Sequence, residues 1–201
     1  MRDEILKRQD PEINQILGKA KVSILGCGGL GSNIAMALAR SGLGEIHIYD
    51  FDQVEYSNLN RQNFNQNDLG KAKVDQTKKK IEEAIPYTKV FANNLFITKE
   101  NLDEISEKTD IFIEAFDKKE MKSLVFEYFL GNDKKKLVMA SGLSGLGDFS
   151  DIKIKEIENV IMVGDFNSTP DQGLYAPYIG IVSNLEALCA LKLIIGERND
   201  K

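Results

Sequence analysis

The sequence predicts a doubly wound, Rossmann-like α/β fold: a mainly parallel sheet with an antiparallel C-terminal extension, in one domain over 1–201. Three observations predict it. Short apolar runs alternate with segments of helical period from residue 21 to residue 140. A glycine-rich turn, Gly26-Cys-Gly-Gly-Leu-Gly31, closes the first apolar run and opens the first long helix. Past residue 149 the alternation breaks into two strand-like runs that share a tight turn near Glu158-Asn159.

Each element has its own reason. Residues 1–20 begin with a polar, helix-like stretch interrupted by Asp10-Pro11, and Pro11 suits the first turn of a short helix, where its missing N–H does no harm. Lys21-Val-Ser-Ile-Leu25 runs straight into glycine, as a buried parallel strand does. Residues 29–41 place Leu30, Ile34 and Leu38 on one helical stripe, and Gly42 and Gly44 end it. Glu45-Ile-His-Ile-Tyr-Asp50 is the second strand, completing a βαβ unit. Residues 51–69 form a long polar loop, and a loop of that length is usually functional or disordered. A lysine-rich helix follows at 70–84, with Lys78–Lys80 read as a solvated face. A strand is expected at 88–92 and a short helix at 99–105. Another strand at 110–115 leads to a helix at 118–130, then a strand at 136–140. Residues 165–177 are loop. The last helix, 178–195, is apolar almost all round, which predicts burial and suggests a homodimer interface.

Composition narrows the function. Of 201 residues, 42% are hydrophobic and 28% charged, as in soluble globular proteins. A net charge of -5 argues against non-specific nucleic-acid binding, which needs cations to displace counterions from phosphates. The two cysteines, Cys27 and Cys189, form no C-x-x-C pair, and there is one histidine, His47, so no structural zinc is expected. The N-terminal MRDEILKRQD lacks a signal-like apolar run, and no stretch is read as approaching the roughly 20 apolar residues that span a bilayer. These features predict a cytoplasmic protein without a membrane partner.

The glycine turn carries the first chemistry. Gly26, Gly28, Gly29 and Gly31 permit a sharp turn and a close ligand approach, and the helix that follows offers free N–H groups to phosphate. Asp50 ends the second strand where a carboxylate can accept hydrogen bonds from ribose hydroxyls. These residues suit NAD as well as ATP.

The remaining motifs separate the two. Gly26-Cys-Gly-Gly-Leu-Gly-Ser32, Asp50-Phe-Asp52, Ser57-Asn-Leu-Asn-Arg-Gln62 and Lys71-Ala-Lys73, in that order, resemble the ThiF/MoeB family of the ubiquitin-activating-enzyme superfamily. The resemblance implies that the chain adenylates the C-terminal glycine of a small ubiquitin-like sulfur-carrier protein ending in Gly-Gly, with ATP and Mg2+ as cofactors. Two anionic reactants meet in such a reaction, so the site needs cations and donors around the triphosphate. Arg61 is a fork for phosphate oxygens, Lys73 a point charge, and Asn58 an amide donor. By the resemblance Asp117 holds magnesium, a role compatible with capping the helix at 118. Asp52 shapes the same site. Arg8 matches an arginine that in this family reaches across a homodimer into the partner's ATP site.

The chain departs from larger members in lacking the zinc-binding cysteine pairs. It also has no cysteine in the loop at 167–175, which makes a covalent carrier link doubtful. A ThiS-like carrier of thiamine thiazole synthesis is the first expectation and a MoaD-like carrier for molybdopterin the second. The alternatives are a small-molecule or RNA-borne carboxylate, an NAD-dependent oxidoreductase, and a non-catalytic nucleotide-binding partner module.

Overall fold

The computed structural model describes residues 1–196, so the last five residues of the domain expected over 1–201 lie outside the described residues. Two short helices lead in: α1 (Arg2–Ile5) and α2 (Pro11–Leu17), the second capped by Asp10, whose carboxylate accepts the N–H groups of Glu12 and Ile13. Then come β1 (Lys21–Leu25), α3 (Gly31–Arg40), β2 (Glu45–Asp50), α4 (Lys73–Ala84), β3 (Lys89–Asn94), α5 (Lys99–Ser106), β4 (Ile111–Glu114), α6 (Lys119–Phe129) and β5 (Lys136–Ala140). The chain finishes with the hairpin β6 (Lys153–Ile157) and β7 (Val160–Gly164), and α7 (Ala176–Ile195).

The strand order is β3-β2-β1-β4-β5-β7-β6. All neighbours are parallel except β6 against β7, so the doubly wound sheet with its antiparallel extension is present as the sequence predicts. β7 itself lies parallel to β5, which places the reversal at the outermost strand only. Glu158 takes φ 53 in the turn between them. The buried Asn159 amide donates to Phe129 O and Lys135 O, pinning the hairpin beneath the α6–β5 loop.

Both faces of the sheet are covered, as parallel strands require. Val22, Ile24, Ile46, Ile48, Ile113 and Val138 pack beneath α3, α4 and α7. Leu25, Phe112, Leu137 and Met139 face α5 and α6. The order in which strands are added reverses between β1 and β4, and ligands of such sheets bind over that switch point, at the carboxyl ends of the strands.

Two expectations are corrected by α7. It is long and apolar enough, by length and composition, to cross a bilayer, contrary to the sequence reading. Its packing is that of a core helix, with Tyr178, Ile179, Val182, Glu186 and Ala190 buried against the domain. It is not buried all round, because within one chain only one side meets α3 and the sheet. Ile181 and Leu188 stay 43% and 46% exposed. A third correction concerns Lys80: it is no solvated residue, since its ammonium pairs with the buried Asp68 carboxylate at 2.9 Å.

Candidate functional site

The glycine turn is built by close approach. Gly26 takes φ 104, and a Cβ there would meet the Ala115 carbonyl, because β1 and the end of β4 run side by side. A methyl on Gly31 would overlap the Gly26 carbonyl oxygen, so this glycine lets α3 start directly on the turn. Gly31 therefore shapes the turn, while Gly26, Gly28 and Gly29 line the cavity above it.

That cavity holds about 580 Å3, within the range of small-molecule sites. It spans the carboxyl ends of β2, β1, β4, β5 and β7. Asp50 enters from β2, 9% exposed. Its carboxylate accepts the Cys27 N–H at 2.6 Å and the Asp52 N–H at 2.8 Å, tying the glycine turn to the following loop. Burial raises the Asp50 pKa, while the two N–H groups and the nearby Lys73 charge pull it back.

Lys73 is the first residue of α4 and 6% exposed. A cation at a helix N-terminus is electrostatically disfavoured. Here the Asp52 carboxylate holds it at 2.8 Å, and the Lys73 N–H donates to the Asp52 carbonyl. Arg61 stands at the mouth of the turn, its side chain against Gly29, and its guanidinium donates to Ser57 O and Asn60 Oδ1. Asp117 follows β4, is exposed and lines the same cavity. It does not cap α6. The N-cap position belongs to Lys118, which makes no side-chain capping bond.

The structure thus brings Gly26, Gly28, Gly29, Asp50, Asp52, Arg61, Lys73 and Asp117 into one cavity. Three predicted residues do not line it: Gly31, which shapes the turn beneath, Asn58 and Arg8. Asn58 is 7% exposed, its side-chain oxygen accepts the Glu55 N–H, and it does not line the cavity. Arg8 lies on the segment that packs against Gly42, at the far end of α3 from the glycine turn. It contributes nothing to its own chain's cavity.

Other cavity residues were not singled out in advance. Gln62, 9% exposed, lines the cavity with its side-chain oxygen unpartnered. Lys122 also reaches it, donating to Glu114 Oε2 at 2.8 Å and to Ala140 O at 3.2 Å. Glu114 and Glu186 are both fully buried near this ammonium, and burial raises both carboxyls, Glu186 well above the usual range. Among the described residues Glu186 has no hydrogen-bond partner for either oxygen. The sequence signals were an acid ending an apolar strand and an acid inside an apolar helix.

Comparison with known proteins completes the description. A model of the ThiF family matches residues 2–201. Adenylyltransferase and sulfurtransferase MOCS3 of Aedes aegypti is 28% identical over 90% of this chain and 43% of its own length. Adenylyltransferase and sulfurtransferase UBA4 of Debaryomyces hansenii is 31% identical over 90% of this chain and 43% of its own. The chain therefore spans less than half the length of these relatives. Molybdopterin-synthase adenylyltransferase of Haemophilus influenzae is 29% identical over 96% and 82%. Among solved structures, E. coli tRNA N6-threonylcarbamoyladenosine dehydratase, TcdA, in complex with AMP superposes with a TM-score of 0.86 at 22% identity, covering 96% of this chain and 93% of that one. This likeness shows the fold. E. coli MccB with ATP gives 0.73 at 25% identity, over 90% and 57%.

Proposed function

The chain belongs to the ThiF family, and from that premise we propose that it uses ATP to adenylate the C-terminal carboxylate of a small ubiquitin-like sulfur carrier ending in Gly-Gly. One observation carries the reading: Arg61, Lys73 and Asp117 meet Asp50 and the glycine turn around a single cavity. Hydride transfer to or from NAD develops no charge on phosphorus, so it would leave Arg61, Lys73 and Asp117 without a catalytic task.

In this reading the carrier carboxylate attacks the α-phosphorus of ATP and pyrophosphate leaves. The glycine turn and the N-terminus of α3 receive phosphate oxygens. Asp50, fixed by Cys27 and Asp52, accepts from the ribose. Arg61 forks onto phosphate, and Lys73, released from or shared with Asp52, adds charge where negative charge grows. Gln62 offers a further polar group.

Magnesium fits a restricted role. Among the described residues no group of three or more His, Cys, Asp or Glu side chains is placed to hold a metal. Magnesium commonly uses only one or two carboxylates together with substrate phosphates. Asp117, lining the cavity, is the carboxylate to hold it, with Asp52 nearby. When bound there, the ion neutralises charge on the phosphates.

The H. influenzae and MOCS3-type relatives favour a carrier-protein acceptor. We assign a ThiS-like carrier first, on the absence of the paired cysteines, and a MoaD-like carrier second. The exposed Ile181 and Leu188 on α7 support a homodimer. ATP–pyrophosphate exchange tests the proposal. Exchange that needs both magnesium and a Gly-Gly carrier is expected. No exchange with any such carrier would overturn it in favour of a non-catalytic partner module.

A further inference from the structure

The cavity divides along the sheet. The glycine turn, Asp50 and Asp117 occupy its β2, β1 and β4 side, where the nucleotide is read to sit. The other half lies over the ends of β5 and β7, and residues from those ends that line it include Ser141, Gly142, Ser144, Phe166 and Ser168. Ser141, Ser144 and Ser168 lie along it, and Lys122 of α6 reaches the same end of β5 through Ala140 O, so this half suits a thin main chain that ends in a carboxylate.

Phe166 is anomalous there. It takes φ 62, a left-handed conformation that a bulky L-residue rarely adopts and that clusters at functional sites. Its surroundings impose the conformation. The Phe166 N–H donates to Ser141 O at 3.0 Å, and the Asp165 N–H to Gly142 O at 3.1 Å. The Asp165 carboxylate accepts the N–H groups of Asn167 and Ser168 and the Tyr178 hydroxyl, joining the loop to α7. Gly142 has no room for a Cβ beside that carboxylate. The Ser144 N–H bonds Ser168 Oγ at 2.9 Å, closing the loop onto the β5 exit. The Lys155 ammonium lies 3.9 Å from the Phe166 ring centroid, a cation–π contact that holds the ring in place. Glycine or asparagine would satisfy this backbone without strain. An aromatic ring kept here narrows the cavity over the ends of β5 and β7.

We infer that Phe166 is the specificity-determining residue for the acceptor, its fixed ring excluding chain ends that carry a side chain on the last residue. This rests on the adenylation reading above. A rigid wall that must accommodate extra carbon atoms discriminates on the order of tenfold or more.

The test is ATP–pyrophosphate exchange with a recombinant ThiS-type carrier ending Gly-Gly and with the same carrier ending Gly-Val. Wild type is expected to favour Gly-Gly by at least about tenfold. Phe166→Gly, free of the backbone strain, is expected to bring the ratio of Gly-Gly to Gly-Val exchange near unity. Phe166→Leu, which keeps bulk, retains the preference. Should Phe166→Gly not melt cooperatively, Phe166→Asn replaces it. An unchanged ratio in the folded variant, or an equal loss on both carriers, overturns the assignment. Absence of wild-type exchange on the Gly-Gly carrier would instead remove the adenylation reading, and this inference with it.

Discussion

Lys73→Met isolates the charge at the centre of the site. Methionine keeps most of the apolar stem but removes the ammonium and its three donors. The stability cost is small by the geometry. The partner carboxylate, Asp52, is 49% exposed, so it rehydrates when the cation goes, and a pair so screened is worth about 0–1 kcal/mol. Losing a cation from the N-terminus of α4 offsets part of that. For a domain of this size, about 1 kcal/mol moves the melting midpoint by only about 2–4 °C. Catalysis suffers far more, because one charged donor to a reacting phosphoryl group contributes roughly 2.7–4 kcal/mol, a factor of about 10² to 10³ in rate. Removing the charge also lifts the Asp50 pKa further, so the acid limb of the residual activity moves to higher pH than in wild type. Pyrophosphate exchange across pH, beside a thermal melt, reads both quantities. A folded Lys73→Met variant within about threefold of wild type would refute the reasoning, since the expected loss is at least about a hundredfold.

Three further outcomes follow from the same structure. Gly31→Ala forces a methyl into the Gly26 carbonyl, so it should lower the melting midpoint and abolish ATP binding measured by calorimetry; tight binding would contradict the packing role assigned to Gly31. Glu186 has its pKa raised by burial, so the folded chain holds a proton that the unfolded chain releases above its ordinary value. Its contribution to stability is complete below about pH 4 and is lost as pH rises toward the raised folded value, at up to about 1.4 kcal/mol per pH unit; Glu186→Gln should flatten that decline in denaturant titrations, and an unaltered slope would count against it. Leu188→Glu places a charge on the exposed stripe of α7 and should convert a dimeric mass in light scattering to a monomeric one, whereas a monomeric wild type would dismiss the interface.

What the sequence disclosed depended on the range of the interactions involved. β1, the glycine turn, α3 and β2 were readable because period and spacing are local, and Asp50 lies at a fixed remove from the turn. The hairpin at Glu158-Asn159 was readable for the same reason. Its placement was not: the parallel pairing of β7 with β5 joins segments separated by a long crossover, and no local pattern encodes it. Arg61, Lys73 and Asp117 come from three separate segments and were joined only through a family resemblance. The cluster of Glu114, Lys122 and Glu186 assembles from β4, α6 and α7, so its members read singly as odd acids in apolar runs. Asn58 reads in sequence as a phosphate donor because an amide stands close to an arginine, whereas the structure places it outside the cavity lining with its oxygen capping a short turn. Apolarity made α7 look fully buried, but apolarity does not say whether the covering partner belongs to the same chain.

The account is tested most directly by mass spectrometry of a Gly-Gly carrier incubated with the protein, ATP and magnesium, without a sulfur donor. It predicts a carrier heavier by one adenylyl group, with pyrophosphate released in equal amount and the adduct missing in Lys73→Met. A carrier of unchanged mass beside a folded, ATP-bound protein would contradict it.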